Sequence, residues 1–407
     1  MAETLKLGNG EWATRENSLL SYNDENGNYK PLPFDFTRAS SATVVNKAGL
    51  IETVGTGTPR IDFSDDVNGA LLLEPQRTNL VTYSNDFSNV AWVKNAVSIT
   101  INNITSPDGI QNADLFTADG TNVQHYVLQS QSSSAKTMSI FAKAGTQQFI
   151  QILTSGTASP VANYDLINGT TNLVGSSSTT SIENYGNGWY RCILTTTDAA
   201  AGSFYVCFSQ SLATGRFPSF VSSKTLYLWG GQSEANTSYP TSYIPTQGST
   251  VTRNLETCTG AGNDQVINST EGVLYAEIAA EIITSFKNLS INDSTSSNRI
   301  NLYIYNSSLT VNFDVGGVNQ ASISYTIPDV TTFNKIAFSY KLNEFKLFVN
   351  GVQRGSTDTS GTVPAVGTFN KLSFNDGSLS KFYGNTKDIR VYNTALTDAE
   401  LQALTTI

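Results

Sequence analysis

The sequence is poor in the side chains that most enzymes use for acid–base, nucleophilic and metal chemistry. Its 407 residues include one histidine, His125, and three cysteines, Cys192, Cys207 and Cys258. His125 lies in the strand-like stretch NVQHYVLQ, where we expect it to pack, and no second histidine or nucleophile supports a Ser-His-Asp site. A zinc site needs clustered ligands, which these residues do not supply. We interpret the cysteines as buried free thiols, with a Cys192–Cys207 disulfide as the alternative.

Charge and long apolar runs are also scarce. Charged residues make up 14% of the chain, and 33 acidic against 24 basic residues give a net charge of -9. Nucleic acid is therefore not an expected partner, because phosphate binding needs clustered Lys and Arg. No apolar run approaches the roughly 20 residues of a membrane span. The opening MAETLKLGNGEWATREN is too polar for a signal peptide, so we expect synthesis in the cytoplasm and no membrane insertion.

Short strand-like segments fill most of the remaining sequence. About nine of them lie between Ser98 and Leu228 at close, regular spacing, with Gly, Asn, Asp or Ser between them, and none shows a helical period. A second series of such segments runs from about residue 266 to the end of the chain. This pattern is typical of antiparallel sandwiches. The sequence therefore predicts an all-β fold with two antiparallel β-sandwich (jelly-roll) domains.

The stretch from Leu226 to Asn254 separates the two series. Leu226–Gly231 alternates like a strand and carries large apolar side chains on both faces, as inside a sandwich. Pro240 and Pro245 then remove backbone donors, and the polar run that follows has too little apolar surface to build a core. One domain therefore ends in this stretch.

Five motifs precede or lie within this stretch, in the order TRASSATVVNKAGLIETV, PRIDF, LLLEPQRTNL, YSNDFSNVAW and SYIPTQGSTVTRN. The series is similar to a module of bacteriophage tail-fibre, head-fibre and other virion-surface proteins. In that module a hairpin-rich lead-in precedes a jelly-roll that resembles carbohydrate-binding modules. The resemblance covers Phe34 to about Asn254 and implies a virion protein that assembles as a homotrimer. Such sandwiches are reused widely, so the ligand does not follow from it.

Three motifs mark the second series, namely EGVLYAEI, KIAFSYKLNEFKLFVNGV and GNTKDIRVYNTALTDAELQAL. They resemble the laminin-G-like, concanavalin-like lectin sandwich. In the last motif Thr397 is placed to N-cap a short helix, and Glu400 is placed to close a capping box. Asn350-Gly351 predicts a two-residue hairpin turn with positive φ.

These features divide the chain into five predicted parts. They are an N-terminal attachment arm (1–33), a hairpin-rich lead-in (34–75), a jelly-roll sandwich resembling a carbohydrate-binding module (76–254), a linker (255–265) and a laminin-G/concanavalin-like sandwich (266–407).

Aromatic side chains supply the candidates for a binding site, with 18 Tyr, 20 Phe and 4 Trp in the chain. Sugar rings stack their C–H faces on exposed aromatic rings, while Asn, Asp and Gln bind the hydroxyls. Trp189 and Trp229 fall in strand-like runs, where we expect core packing. The candidates for carbohydrate binding are Trp92, Tyr185, Tyr303, Tyr305 and Tyr383.

Paired carboxylates for glycoside hydrolysis have no matching motif. Concanavalin-like glucanases carry an E-x-D-x-x-E pattern, and the stretch EIAAE does not match it. We therefore predict no enzymatic activity, with a glycan depolymerase whose acids are unrecognised as an alternative. Calcium is common in such sandwiches, and Asp388 is the candidate ligand, with Asp314 and Asp293 in loops. Solvated turn carboxylates are the simpler interpretation, and no other cofactor is expected.

The resemblance of the motif series to virion-surface modules thus implies a structural, non-enzymatic bacteriophage virion protein, either a fibre or a surface decoration. Its N-terminal region would attach to other virion structural proteins, and its sandwiches would bind host-cell-surface polysaccharide. The alternative is a decoration or joining protein whose sandwiches contact only other virion proteins.

Overall fold

The structure is a computed structural model that describes residues 3–19, 32–158, 160–281 and 285–407. These residues form β-strands with one short helix near the end of the chain, which confirms the all-β prediction. Among them, no helix has the length and apolar character needed to cross a membrane.

The strands are numbered in chain order. The first nine are β1 Leu5–Gly8, β2 Thr14–Arg15, β3 Ser18–Leu19, β4 Phe34–Thr37, β5 Ala42–Val45, β6 Ile51–Val54, β7 Arg60–Asp62, β8 Ala70–Leu73 and β9 Arg77–Asn79. The next fifteen are β10 Val93–Asn95, β11 Val97–Thr105, β12 Gln111–Ala118, β13 Asn122–Val123, β14 Tyr126–Gln129, β15 Lys136–Ala144, β16 Phe149–Thr154, β17 Val161–Asp165, β18 Thr170–Val174, β19 Ser178–Asn184, β20 Trp189–Thr196, β21 Phe204–Ser209, β22 Phe220–Val221, β23 Thr225–Ala235 and β24 Val251–Arg253. The last are β25 Thr257–Thr259, β26 Glu271–Ala280, β27 Lys287–Asn292, β28 Arg299–Tyr305, β29 Ser308–Val315, β30 Val318–Thr326, β31 Asn334–Lys341, β32 Glu344–Val349, β33 Val352–Asp358, β34 Lys371–Ser373 and β35 Gly384–Tyr392, followed by helix α1 Asp398–Thr405.

The chain folds into two compact units that alternate along the sequence. Unit 1 comprises Met1–Ser41, Val54–Pro75 and Asn254–Ile407, and unit 2 comprises Ala42–Thr53 and Gln76–Arg253. The sequence predicts contiguous domains, whereas the structure assigns much of the predicted arm and lead-in to the same unit as the C-terminal sandwich.

Unit 1 contains a sandwich of two antiparallel sheets. The eight-stranded sheet has the order β33-β32-β31-β26-β35-β8-β7, with β1 also paired to β35, and the five-stranded sheet has the order β30-β29-β28-β27-β34. Alternating side chains such as Leu274, Ile389 and Leu302 form a single core between them. Helix α1 packs Leu401 on the other face of the eight-stranded sheet.

Two local predictions in this unit are confirmed. Thr397 N-caps helix α1, and the Glu400 side chain returns to the Thr397 backbone, so the capping box is complete. Asn350 and Gly351 both adopt positive φ, 50° and 78°, in the turn between β32 and β33. Both features depend on neighbouring residues alone, which is why the sequence specifies them.

The N-terminal strands also belong to the core of unit 1. Strand β1 pairs with β35, and Leu5, Leu7 and Leu19 are buried with the sandwich core. The sequence predicts an attachment arm with little core over residues 1–33, and residues 20–31 of that arm lie outside the described residues. The stretch LKL is too short to signal a strand, and its pairing partner lies at the opposite end of the chain.

Four buried charged side chains connect the three segments of unit 1. Glu256 Oε1 accepts from Arg38 Nη1 at 2.7 Å and from Arg60 Nε at 2.9 Å. Glu256 Oε2 accepts from Arg60 Nη2 at 2.5 Å and from the Glu74 backbone N–H at 2.9 Å. Arg60 Nη2 also lies 2.7 Å from Glu74 Oε2. Although burial acts to lower it, the two carboxylates raise the pKa of Arg60 above its ordinary value.

Unit 2 contains a sandwich of two six-stranded antiparallel sheets. Their orders are β10-β14-β21-β16-β17-β18 and β11-β12-β23-β15-β20-β19, which confirms the predicted sandwich. Leu226–Gly231 lies in β23, which pairs with β12 and β15 inside the second sheet. Strand β24 of the exit segment pairs with β9 of the motif LLLEPQRTNL.

All three cysteines are free and buried, as predicted. Cys192 faces the core between the sheets of unit 2, whereas Cys207 lies in a separate cluster with Leu153 and Val161. A disulfide between them is therefore not formed, because the two thiols belong to different packing layers.

We expect Glu256→Gln to destabilise unit 1 by about 3–5 kcal/mol, because it leaves two buried guanidinium groups short of negative charge. Urea unfolding measures the loss. Glu11→Gln is the matched control, since Glu11 forms a 3.0 Å ion pair with Lys6 but keeps 62% of its side chain exposed. Its expected cost is below about 1 kcal/mol. Equal losses of unfolding free energy in the two variants would show that the buried network stabilises unit 1 no more than an exposed ion pair does.

A second prediction concerns Asp114, which is buried in β12 and accepts backbone hydrogen bonds from Phe87 and Asn102. Burial raises its pKa from 3.8 to about 6, against the effect of those bonds. A raised pKa means that this residue's stabilisation is complete below about pH 4 and is lost as pH rises through 6. Relative to Asp114→Asn, the wild-type free energy of unfolding should therefore fall by up to about 3 kcal/mol between pH 4 and 7. If the free energies of unfolding of the wild type and Asp114→Asn, measured with urea, change in parallel with pH, the prediction is contradicted.

Candidate functional site

The five-stranded sheet of unit 1 has one apolar and one polar face. Along β28, Ile300, Leu302 and Ile304 are buried in the core. The alternate positions face away from the core, on what we call the outer face, and they are Arg299, Asn301, Tyr303 and Tyr305. On this outer face Asn301 is almost fully buried, Arg299 and Tyr303 are half-buried and Tyr305 is exposed, so Tyr305 is the most accessible side chain of the strand.

Register across the sheet arranges the outer face into rows. One row joins Asn288, Tyr303, Thr310 and Ser324, and the next joins Ser290, Asn301, Asn312 and Ser322. Hydroxyl and amide groups link neighbours within the rows, such as Thr310 to Ser324 at 2.8 Å and Ser322 to Asn312 at 2.8 Å. The outer face is therefore a regular array of short, neutral hydrogen-bonding groups.

Three aromatic rings form a cluster at one end of these rows. Phe286 stacks on Tyr305 with ring centroids 4.6 Å apart and planes inclined by 22°, and it meets Tyr303 edge-on at 5.4 Å. Phe286 is 49% exposed and Tyr305 is 37% exposed. We call Phe286, Tyr303 and Tyr305 the aromatic cluster. Exposed stacked rings of this size offer a flat apolar surface to a ligand.

Two buried amides beside the cluster lack part of their hydrogen bonding. Asn301 Nδ2 donates to Asn288 Oδ1 at 3.2 Å, and both residues are almost fully buried. Asn288 Nδ2 and Asn301 Oδ1 have no hydrogen-bond partner among the described residues. One donor and one acceptor are thus left over next to Tyr303. Both atoms are buried, so a ligand hydroxyl, which both donates and accepts, would reach them after a rotation of the Asn288 or Asn301 side chain.

At the other end of β28 one positive charge pairs with two negative charges, which leaves a net charge of about -1. Arg299 Nε donates to Asp314 Oδ2 at 3.0 Å, and Arg299 Nη1 lies 3.7 Å from Asp376 Oδ2. Asp314 Oδ1 also accepts from Asn319 at 2.9 Å. Both carboxylates are therefore engaged by one guanidinium group. An acid–base pair for hydrolysis would instead need one protonated and one free carboxylate.

The structure brings together two of the five aromatic candidates from the sequence. Tyr303 and Tyr305 share the aromatic cluster, while Tyr383 packs against the core with its ring 5.8 Å from Lys287 Nζ. In unit 2, Trp92 is buried in the core and donates its ring N–H to the Tyr83 carbonyl at 2.8 Å. Tyr185 is half-buried and lies edge-on to Phe141 at 4.8 Å.

Sequence reasoning missed Phe286, Asn288 and Asn301. Phe286 directly precedes a strand, where a phenylalanine is usually assigned to the core. The two asparagines lie on alternate positions of apolar strands, and this alternation is the signal that could have placed them on the outer face.

Asp388, the metal candidate, is almost fully buried opposite Glu277 in the eight-stranded sheet. Its Oδ2 accepts from Arg390 Nε at 2.9 Å and Nη2 at 2.7 Å. Burial raises the pKa of Asp388 despite this pairing. Within the described ranges, no group of three or more His, Cys, Asp or Glu side chains could hold a metal ion.

The other two acidic candidates and the histidine have local partners. Asp314 is paired with Arg299, and Asp293 accepts from the Thr295 N–H and from Asn298. Although desolvation acts to raise it, these hydrogen bonds lower the pKa of Asp293 below its ordinary value. His125 is buried, with its ring nitrogens 2.9 and 3.0 Å from two backbone carbonyl oxygens, in agreement with a packing role.

Comparison with known proteins places the aromatic cluster in a recognised type of domain. Residues 278–402 match the concanavalin A-like lectin/glucanases superfamily. This confirms the lectin-type sandwich predicted for the C-terminal series, and the match includes β28 and the rows beside it. Among curated proteins, none matches the sequence.

Several solved structures are similar to parts of the chain at low identity and low TM-score. A carbohydrate-binding domain of the Ruminococcus gnavus IT-sialidase is 20% identical over 37% of this chain and 94% of its own, with a TM-score of 0.31. Domain 4 of a Geobacillus stearothermophilus arabinanase, in complex with arabinotriose, is 15% identical over 42% and 84%, with a TM-score of 0.30. A putative carbohydrate-binding protein from Bacteroides ovatus is 10% identical over 81% and 85%, with a TM-score of 0.27.

Proposed function

We propose that unit 1 is a glycan-binding module and that its binding surface is the outer face of the five-stranded sheet. The observation that carries this proposal is the aromatic cluster beside the two incompletely bonded amides of Asn288 and Asn301. A sugar ring has an apolar C–H face and a hydroxyl edge, and the cluster and the amides offer the matching surfaces side by side. The superfamily match over residues 278–402 supports the same class of ligand.

A glycan fits this surface better than a protein partner does. The rows next to the cluster consist of Asn, Ser and Thr, and the ion pairs of Arg299 with two carboxylates leave only one net negative charge at the far end of the face. The central part of a stable protein interface is usually more apolar and larger than three rings. A neutral array of hydroxyl and amide groups instead suits a ligand that carries many hydroxyls.

The pairing of the carboxylates on this face favours glycan binding without hydrolysis. Asp314 and Asp376, the acids at the far end of the outer face, are both engaged by Arg299. The superfamily description also covers glucanases, so a depolymerase remains the second candidate function. Its acids would need a separation and pKa difference suited to acid and base roles.

We further propose that the chain is a bacteriophage virion protein that presents this surface to host-cell polysaccharide. The support is the ordered motif series from TRASSATVV to SYIPTQGSTVTRN. In this proposal the protein is made in the host cytoplasm, assembles as a homotrimer and attaches to other virion proteins through its N-terminal region. Because Leu5, Leu7 and Leu19 are buried in unit 1, attachment there would use exposed side chains such as Glu11 and Arg15.

Phe286→Ala and Tyr305→Ala should each weaken binding to the best ligand on an array of capsular and lipopolysaccharide glycans by at least tenfold. The fold should persist, because both side chains are partly exposed. Leu342→Ala, at an exposed position in the hairpin turn of the other sheet, is the control and should bind normally. Unchanged binding by both aromatic variants would reject the site. Release of new reducing ends from the glycan would instead support a depolymerase.

The virion proposal predicts a trimer of 43.8 kDa chains in sedimentation equilibrium. The trimer should persist in Phe286→Ala, because the aromatic cluster is assigned to the ligand and not to assembly. A chain that sediments as a monomer at all accessible concentrations would contradict the trimer and leave the glycan proposal intact.

A further inference from the structure

Unit 2 contains a cavity of about 280 Å³ that lies outside the surface described above. It is bounded by residues 147–149 at the start of β16, by residues 209–210 at the end of β21, and by the segment from Phe220 to Lys224. The volume is near the lower end of the roughly 300–1,000 Å³ found for small-molecule sites. A cavity of this size suits a single ring-sized ligand.

The cavity walls combine apolar rings with hydrogen-bonding groups. The lining includes Phe149 and Phe220, whose side chain also packs against the core of unit 2, together with Gln147, Gln210 and Lys224. Phe149 is opposite Ser209 and Asp165 in the sheet, while its neighbours Ile150 and Ile152 fill the core. Its ring therefore belongs to the half-buried side of the sheet that faces away from the core.

Two walls of the cavity are held in place before any ligand arrives. Gln147 is almost fully buried and donates through Nε2 to the carbonyl oxygens of Phe149 and Ser209. Phe220 lies edge-on to His125 at 5.7 Å, and its carbonyl oxygen is 3.0 Å from the His125 ring. A preformed wall reduces the entropy lost on binding.

The buried Gln147 amide also has an unfilled acceptor. Its Oε1 has no hydrogen-bond partner among the described residues. A buried acceptor without a donor costs about 1–3 kcal/mol, so a ligand that supplies a hydroxyl at the cavity would relieve that cost.

Charge around the cavity is balanced. Lys224 is the cation in its lining, and the Asp165 carboxylate lies on the neighbouring strand, with both oxygens 3.0 Å from Gln148 Nε2. Although desolvation acts to raise it, hydrogen bonds from Asn168 and Gln148 hold the pKa of Asp165 below its ordinary value. One positive and one nearby negative charge do not favour an anionic ligand.

We propose that this cavity is a second carbohydrate site, which takes one neutral sugar residue between Phe149 and Phe220. The sugar's hydroxyls would bind Gln147, Gln210 and Lys224, and its C–H face would contact the rings. The proposal is independent of the outer-face surface on unit 1, because no residue is shared between the two sites.

The test is saturation-transfer NMR on the full chain carrying Phe286→Ala, which weakens the unit 1 surface, with the methyl glycosides of glucose, galactose, mannose and N-acetylglucosamine as separate probes. At least one probe should receive magnetisation on its ring C–H protons. Val221→Trp should reduce that signal or its affinity at least tenfold, because the 70% exposed Val221 lines the cavity and a tryptophan there would occlude it.

Ile110→Trp, at an exposed position in another turn of unit 2, is the matched control and should leave transfer unchanged. Saturation transfer that persists in Val221→Trp would overturn the proposal. A folded protein that shows no transfer to any of the four probes would overturn it as well. Transfer that is seen with Phe286 intact but is lost in Phe286→Ala would assign the sugar to unit 1 and also reject the cavity. Failure of the outer-face proposal is therefore distinguishable from failure of this one.

Discussion

A buried set of charges sets the organisation of unit 1. Arg38, Arg60, Glu74 and Glu256 come from the three separate segments of the unit, and each lies close to a point where the chain leaves or re-enters it. Charges at this depth are tolerated only when they are paired and hydrogen-bonded. Glu256 can therefore be buried only when all three segments are assembled around it, which links distant parts of the sequence to one core.

The candidate surface depends on this assembly. Just after Glu256, strand β25 pairs with β4, and the Cys258 carbonyl accepts from the Phe374 N–H at 2.9 Å. Phe34 packs on Phe374 at 5.4 Å, beyond the end of β34, the edge strand of the five-stranded sheet. The network thus supports the sheet that carries the aromatic cluster. The buried charges around Glu256 and the proposed binding surface at Phe286 are therefore parts of one continuously packed structure. No charge of the network lies on the outer face.

The sequence was informative where structure is local and uninformative where it is not. Strand alternation, the Thr397 cap and the Asn350-Gly351 turn were predictable from neighbouring residues. The membership of β1 and β8 in the C-terminal sandwich was not, because each pairs with β35 far along the chain. The same limit applies to the site. An aromatic side chain serves a core or a surface equally well, and the sequence does not show that Trp92 is buried in the core of unit 2 while Tyr305 is exposed on unit 1.

The central claim is that the outer face of the five-stranded sheet in unit 1 binds glycan through the aromatic cluster. A crystal structure of the full chain with the strongest-binding array oligosaccharide tests it most directly. The account predicts a sugar ring stacked over Phe286 and Tyr305, with a hydroxyl within hydrogen-bonding distance of Asn288 or Asn301. An oligosaccharide bound only elsewhere, with these rings and amides uncontacted, would contradict it.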